Sequence, residues 1–127
     1  MKFELDSARS AYTIRGYEAD CILIGDQRFS GPLVITPDGI HIDLLPQNFA
    51  ELLAKHLQAV AALGAEIIIV GSGAKQIFLP PALSQALAAN GVGVEVMNTP
   101  AACRCYNVLA SEARAVAGVL YPAHGDA

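Results

Sequence analysis

The sequence predicts a compact single-domain α/β protein. An N-terminal region of strands and a β-hairpin (residues 1–45) is joined to a β-α-β-α half (residues 48–121). About three helices are expected to cover a small mixed sheet. Three observations predict this class. The chain has 127 residues, a normal length for one domain. A Pro-Asp-Gly turn separates two apolar runs in the first region, and in the second, strand-length apolar runs alternate with stretches of helical periodicity. Residues 122–127 are expected to form a frayed tail.

The N-terminal region contains a predicted strand and a predicted hairpin. Residues 21–24 form a short apolar run that ends at a Gly-Asp pair. Residues 32–35 and residues 40–44 flank Pro37-Asp38-Gly39. Because proline fixes φ and glycine accepts positive φ, this turn favours a hairpin. The alternation of apolar and polar residues over 40–44 predicts a strand with one buried and one wet face.

The chain then predicts an amphipathic helix. Asn48 is a candidate N-cap, apolar residues recur every three or four positions over residues 49–60, and Gly64 is a candidate C-terminal stop.

Two strands and a helix are predicted next. Residues 66–71 are β-branched and almost continuously apolar, which is typical of a parallel strand buried on both faces. A short helix is expected over residues 81–91, and a second buried strand over residues 92–97.

The last elements are predicted to be helical. Thr99 is a candidate N-cap with Pro100 at the first helical position, at the start of a helix over residues 101–109. Ser111 is expected to cap a second helical segment that runs to about Tyr121.

The composition excludes several classes of partner. A net charge of −4 and a pI near 5.2 do not indicate the positively charged surface that binds the phosphates of nucleic acid. No apolar stretch approaches the roughly 20 residues that span a bilayer, so membrane insertion is not expected. The N-terminus lacks the apolar core of a secretory signal. An odd number of cysteines (Cys21, Cys103 and Cys105) does not make a disulfide framework, so reduced thiols in a cytoplasmic protein are expected.

The low charge content leaves two explanations open. Charged residues make up 16% of the chain, against about 25% in a typical domain. Alanine-rich helices would explain this figure. An apolar surface covered by a protein partner or by a second copy is the alternative explanation, so homo-oligomerisation is a second expectation.

Two strand ends indicate where a ligand could bind. In open α/β sheets, ligands bind beyond the carboxyl ends of the strands, and here those ends carry Gly71-Ser72-Gly73 and Asn98-Thr99. Free N–H groups at the start of the Thr99 helix would favour a small anion. The alternative is a tight turn alone, because the third glycine of a dinucleotide fingerprint and the spacing of a P-loop are both missing. No cofactor is therefore expected.

Two further side chains follow Thr99 at helical spacing. Cys103 and Asn107 lie four and eight residues after it, so they point toward the cleft or the sheet. Cys103 could be a thiolate promoted by the helix N-terminus, or a buried and unreactive thiol. Asn107 could bond the backbone of a loop, or face a ligand.

No complete catalytic or metal-binding set can be assembled from the sequence. Arg104, Glu112 and Arg114 could form a local ion-pair network, which by itself indicates no function. The histidines are far apart, and no Cys/His metal spacing exists. Neither an enzymatic activity nor a metal site is expected.

Most of the chain resembles a known family. The resemblance is carried by residues 67–73, residues 91–99 and residues 101–109 with the Glu112 and Arg114 that follow, and its most specific part is residues 99–114. It is to the small family of uncharacterised α/β domains that includes mitochondrial complex I (NADH:ubiquinone oxidoreductase) assembly factor 3 and the adipogenesis-associated domain protein. The resemblance implies a compact α/β fold with a mixed sheet, and motif positions without catalytic roles at Gly71, Gly73, Thr99, Asn107, Glu112 and Arg114.

The family resemblance favours a non-enzymatic interaction or assembly factor. The expected partner is a protein, such as a subunit of a respiratory or other membrane complex. Asn98 stands where the family has Asp, which weakens an acid/base interpretation. The alternative is a domain or minor enzyme that binds a small molecule or anion in the cleft at Gly71–Gly73 and Asn98–Thr99.

Overall fold

The computed structural model describes residues 12–123, and these residues form two sheets and three α-helices. The small sheet contains β1 (Ile14–Glu18), β2 (Cys21–Ile24) and β3 (Gln27–Phe29). The main sheet contains β4 (Leu33–Thr36), β5 (Gly39–His41), β6 (Ile67–Gly71), β7 (Gly93–Met97) and β8 (Val116–Leu120). The helices are α1 (Ala54–Ala61), α2 (Pro81–Ala88) and α3 (Thr99–Ser111), and a 3₁₀ turn covers Phe49–Glu51. The predicted α/β class is confirmed.

The main sheet is mixed, with the strand order β5-β4-β8-β6-β7. Strand β8 lies at its centre. Strand β6 runs parallel to both of its neighbours, β7 and β8, while β4 is antiparallel to β8 and to β5. The β4–β5 hairpin pairs Thr36 with Gly39, so its turn consists of Pro37 and Asp38, as predicted. The small sheet is an antiparallel meander in the order β1-β2-β3.

Each face of the main sheet supports its own hydrophobic core. On one face, Ile68 and Val70 of β6 join a cluster with Leu57 and Val60 of α1 and with the buried leucines of α2. On the other face, Ile69 joins a cluster that includes Tyr106 of α3 and the isoleucines of the small sheet. Because β6 is apolar at almost every position, both of its faces can be buried in this way.

The predicted helix over residues 111–121 is wrong, because this segment contains a strand. Helix α3 ends at Ser111, whose hydroxyl donates to the Val108 carbonyl, and Ala113 adopts a positive φ of 61°. Strand β8 follows between β4 and β6, with all five of its residues buried. Tertiary burial on two faces overrides the weak strand preference of alanine and glycine in this run.

The predicted helix over residues 49–60 is divided in two. The 3₁₀ turn starts after Asn48, whose side chain makes no capping hydrogen bond. Leu52 and Leu53 are extended, and α1 begins at Ala54, where the His56 Nδ1 accepts from the Leu53 N–H at 2.9 Å. The C-terminal end of α1 is close to the predicted stop. The helix ends at Ala61, and Gly64, three residues later, has a positive φ of 103°.

Several other elements differ from their predicted form. Strand β7 is an edge strand whose residues are exposed or only partly buried, so the expected burial is wrong over residues 93–97, whereas Val92 just before the strand is buried. Strand β5 ends at His41, and Ile42 is 62% exposed, so the predicted alternation does not extend to residue 44. In the expected tail, Pro122 is buried, and residues 124–127 lie outside the described part of the chain.

Candidate functional site

The carboxyl ends of β6 and β7 lie side by side, so the two predicted halves of the cleft are neighbours. The Ser72 N–H donates to the Met97 carbonyl at 2.9 Å, and the Thr99 N–H donates to the Gly73 carbonyl at 2.8 Å. These direct backbone hydrogen bonds join the two halves to each other.

Thr99 is a buried connector between three strand ends, and the prediction that it caps α3 is wrong. Asn98 is the N-cap, and its Oδ1 accepts from the Ala101 N–H at 2.9 Å. The Thr99 hydroxyl accepts from the Gly73 N–H at 2.8 Å and donates to the Tyr121 carbonyl at 2.5 Å. Thr99 is 1% exposed, so its hydroxyl satisfies groups that would otherwise be buried without partners.

Gly71 permits the close approach of α3 to β6. A Cβ at this position would lie 2.9 Å from the Thr99 Oγ1, 3.1 Å from the Thr99 Cα and 3.2 Å from the Ala102 Cβ. The absence of a side chain is therefore a packing requirement. Together with the hydrogen bonds of Thr99, this contact closes the gap between the two strand ends, and the geometry gives no support to the alternative of a ligand in that gap.

Ser72 organises the loop that follows β6. Its hydroxyl lies 2.6 Å from the Lys75 carbonyl and 3.2 Å from the Met97 carbonyl, and it accepts from the Ile77 N–H at 3.1 Å. The Gln76 amide donates to the Val96 carbonyl at 3.1 Å. The Gly-Ser-Gly sequence thus forms a turn whose serine shapes the next five residues, a role that sequence reasoning missed.

Cys103 is packed in the core between α3 and the main sheet. The residue is 2% exposed, and burial raises the pKa of its thiol to about 12, although the neighbouring Arg104 opposes the rise. Because the thiolate is the nucleophilic form, a thiol with this pKa is not activated near neutral pH. The geometry therefore favours the buried and unreactive interpretation of Cys103.

Asn107 connects α3 to the first strand. Its Oδ1 accepts from the Ile14 N–H at 3.0 Å, and its Nδ2 donates to the Ile14 carbonyl at 2.8 Å. The amide therefore bonds a backbone, one of the two roles expected for it, and the backbone belongs to a strand. The small sheet is thereby fixed against α3.

The predicted ion-pair network among Arg104, Glu112 and Arg114 is not formed in the described residues 12–123. The Arg104 guanidinium instead donates to the Tyr17 hydroxyl at 3.0 Å. Glu112 is the C-cap of α3, with its backbone N–H bonded to the last carbonyls of the helix. Arg114 lines a surface cavity whose wall includes Asp38, at the amino ends of β6 and β8.

A polar cluster that the sequence analysis did not single out lies at the β1–β2 turn. The ligand atoms of Glu18, Asp20 and Cys21 lie within 4.8 Å of one another, which is close enough to hold a metal ion. The Arg28 guanidinium already occupies this cluster, 2.8 Å from the Glu18 carboxylate and 3.3 Å from the Cys21 sulfur. Hydrogen bonds from Arg28 lower the pKa of Glu18, and burial raises the pKa of Cys21. A bound metal ion would have to displace this fixed cation.

The helices of the described part are short. The longest, α3, has 13 residues, and within residues 12–123 no helix has the length and apolar character needed to cross a bilayer.

Comparisons with known proteins agree with the predicted resemblance. The chain is 32% identical to the mouse protein named NADH dehydrogenase [ubiquinone] 1 alpha subcomplex assembly factor 3 over 123 residues, which cover 91% of this chain and 63% of the relative. The human protein of the same name is 30% identical over 93% of this chain and 65% of its own length. The chain therefore spans less than two thirds of these relatives.

Solved structures from bacteria share the fold. A crystal structure of a Bordetella parapertussis protein matches with a TM-score of 0.81 and 38% identity, over 87% of this chain and 94% of that one. An NMR structure of a Xanthomonas campestris protein matches with a TM-score of 0.80 and 29% identity, over 91% of this chain and 87% of that one. A family model described as "Protein of unknown function (DUF498/DUF598)" matches residues 14–121, and the chain belongs to that family.

Proposed function

We propose that this domain is a non-enzymatic protein-interaction factor that assists the assembly of a respiratory membrane complex. The observation that carries the proposal is the similarity to proteins named NADH dehydrogenase assembly factor 3, at 30–32% identity over more than nine tenths of this chain. In this proposal the domain acts in the cytoplasm, and its partners are subunits of NADH:ubiquinone oxidoreductase that have not yet joined the complex.

The geometry of the strand ends supports a binding role in preference to catalysis. The region between Gly71 and Thr99 is closed by hydrogen bonds and by van der Waals contact. The thiol of Cys103 is buried with a raised pKa, and Asn107 is engaged by the backbone of Ile14. The polar groups that the sequence brings to this region are used to hold the fold together, which leaves the outer surface as the part that meets other molecules.

Affinity purification of the tagged chain tests the proposal. The tagged protein would be expressed in its source organism, purified in mild detergent and compared by quantitative mass spectrometry with an unrelated tagged protein of similar size. We expect reproducible enrichment of subunits of NADH:ubiquinone oxidoreductase, and stronger enrichment when assembly is incomplete. A set of retained proteins that matches the unrelated control would contradict the proposal.

A further inference from the structure

A cavity of about 230 Å³ opens at the amino ends of β6 and β8, at the opposite end of the main sheet from Gly71 and Thr99. The β4–β5 turn, the loop between α1 and β6, and the loop between α3 and β8 form its wall. One water molecule needs roughly 10–15 Å³, whereas pockets for drug-sized ligands measure about 300–1,000 Å³. The size of the cavity therefore suits a small metabolite.

The hydrogen-bonded ladder between β4 and β8 stops at this cavity. Its last pair is Ile35 with Gly118. The next pair in the same orientation would be Pro37 with Val116, but Pro37 lies in the β4–β5 turn, outside β4, and a proline has no N–H to donate. The first two residues of β8, Val116 and Ala117, therefore have no partner in β4.

The backbone of Val116 points toward this gap. The Ala115 carbonyl accepts from the Ile67 N–H at 3.2 Å on the β6 side. Since backbone groups alternate between the two sides of a strand, the N–H and the carbonyl of Val116 face the β4 side, where the cavity lies. Within residues 12–123 no group of the protein accepts from this N–H, although Val116 is only 1% exposed. Buried N–H groups are rarely left without an acceptor, so we expect the cavity to hold one.

Two opposite charges line the same cavity without pairing. Arg114 and Asp38 both belong to its wall, and across the described part of the chain neither side chain forms an ion pair or a hydrogen bond. Together with the Val116 N–H, the Arg114 guanidinium offers donors to an anionic group, whereas the Asp38 carboxylate offers acceptors to a cationic one. The wall also includes the apolar side chains of Leu63 and Ala65. The cavity thus offers complementary sites for a negative, a positive and an apolar group.

We propose that this cavity binds a free α-amino acid with an apolar side chain. Its carboxylate accepts from the Val116 N–H and the Arg114 guanidinium, its ammonium group donates to Asp38, and its side chain lies against Leu63 and Ala65. A zwitterion suits this wall better than phosphate or another simple anion, because Asp38 would repel a ligand that carries negative charge alone. The proposal goes beyond the assembly role and does not depend on it.

Titration of the isotopically labelled chain with L-leucine and with L-valine, followed by NMR, tests the proposal. We expect the backbone amide signal of Val116 to shift until it saturates, while the amide signals of β1 in the small sheet stay unchanged. Two analogues remove one charge each: N-acetyl-L-leucine lacks the ammonium group, and L-leucinamide lacks the carboxylate. Because each loses a hydrogen bond to a charged partner, we expect both to bind at least about 10-fold more weakly than L-leucine.

Variants of the two charged residues separate their roles. Arg114→Ala and Asp38→Ala should each weaken the binding of L-leucine by at least about 10-fold. Arg15→Ala and Asp26→Ala are matched controls, because they remove an exposed arginine and an exposed hairpin aspartate that lie outside this cavity. Both controls should bind within about twofold of the wild type. The amide spectrum of each variant also shows whether it is folded.

Four results would overturn the proposal and leave the assembly role untouched. The first is a Val116 amide signal that neither L-leucine nor L-valine shifts, with magnetisation transfer from water to this amide, which would identify ordered water as its acceptor. The second is equal affinity for L-leucine and L-leucinamide. The third is equal binding of L-leucine by Arg114→Ala and the wild type. The fourth is saturation of the Val116 shift by inorganic phosphate at lower concentration than by either amino acid, which would identify a simple anion site.

Discussion

At the scale of single residues, the polar groups around the end of β6 act as structural connectors. Thr99 joins the backbones of Gly73 and Tyr121, while Asn98 caps α3. Thr99 and Asn98 are adjacent in sequence but have different roles. The Thr99 hydroxyl is buried between strand ends, whereas the Asn98 side chain caps the N-terminus of α3. The free energy that each contributes to folding should differ accordingly.

Replacement of Thr99 by valine tests this difference. The change keeps the shape of the side chain but leaves the Gly73 N–H and the Tyr121 carbonyl without their partner, so we expect the free energy of unfolding to fall by about 2 kcal/mol. Asn98→Ala should lower it by about 1 kcal/mol, the usual effect of losing an N-cap. Urea unfolding measures both, and a Thr99→Val variant as stable as the wild type would show that the connector role is misassigned.

Gly71 offers a second test at this scale. An alanine Cβ would meet the backbone of Thr99 at 3.1 Å, and backbone cannot move aside as a flexible side chain can. We expect Gly71→Ala to destabilise the fold by about 3 kcal/mol through overpacking. Gly93→Ala is the matched control, because a Cβ there meets nothing within 4 Å. Equal stability of the two variants in denaturant unfolding would refute the close packing of α3 on β6.

The buried thiol of Cys103 predicts a pH dependence of stability. Burial raises its pKa from the ordinary 9.0 to about 12. The unfolded chain therefore loses this proton first as the pH rises, so the thiol's contribution to stability is full below about pH 9 and decreases between pH 9 and pH 12. We expect the free energy of unfolding of Cys103→Ala to depend less steeply on pH between 9 and 10 than that of the wild type. The two slopes should differ by at most about 1.4 kcal/mol per pH unit. Identical slopes would argue against a buried thiol.

At the scale of elements, the small sheet depends on its attachment to α3. Asn107 makes two hydrogen bonds to the backbone of Ile14, and Ile14, Ile22 and Ile24 enter the core beneath α3. The Arg104–Tyr17 contact is exposed, so it should contribute little. The asparagine is thus the polar contact that orients β1.

Asn107→Ala should loosen β1 more than the rest of the fold. We expect a loss of about 2 kcal/mol for two hydrogen bonds and faster amide hydrogen exchange in β1 than in β6 or β8. Tyr17→Phe, which removes only the exposed contact, should change the stability by less than about 0.5 kcal/mol. Uniform exchange across β1 and β6 in Asn107→Ala would contradict the anchoring role.

The elements also show which features a sequence can reveal. Strand β6 and the hairpin at Pro37-Asp38 were predictable because their patterns, a β-branched run and a proline turn, act through local physics. Strand β8 was not, since Ala117 and Gly118 disfavour a strand and the segment becomes one through pairing with β4 and β6. The candidate site shows the same limit of sequence-based prediction. The sequence singled out Thr99 and Ser72, but it could not show that their hydroxyls form hydrogen bonds with the backbone of neighbouring segments.

At the scale of the whole molecule, the fold buries Ser72 and Thr99 at the strand ends and leaves the side chains of Ile77 and Phe78 exposed in the loop that follows β6. The interior of the strand ends is closed around Thr99, and the exposed Phe78 follows from the same Gly-Ser-Gly turn. The buried polar groups at the strand ends therefore stabilise the fold, and they do so next to the loop that carries the exposed Phe78.

The proposed assembly role is tested by the amount of assembled NADH:ubiquinone oxidoreductase in cells that lack this protein. Membranes from a deletion strain would be separated on a native gel and stained for NADH dehydrogenase activity, with strains that carry the wild-type gene as the control. We expect less of the full-size complex, accumulation of smaller subcomplexes, and recovery with the wild-type gene. A normal amount of full-size complex in the deletion strain would contradict an assembly role.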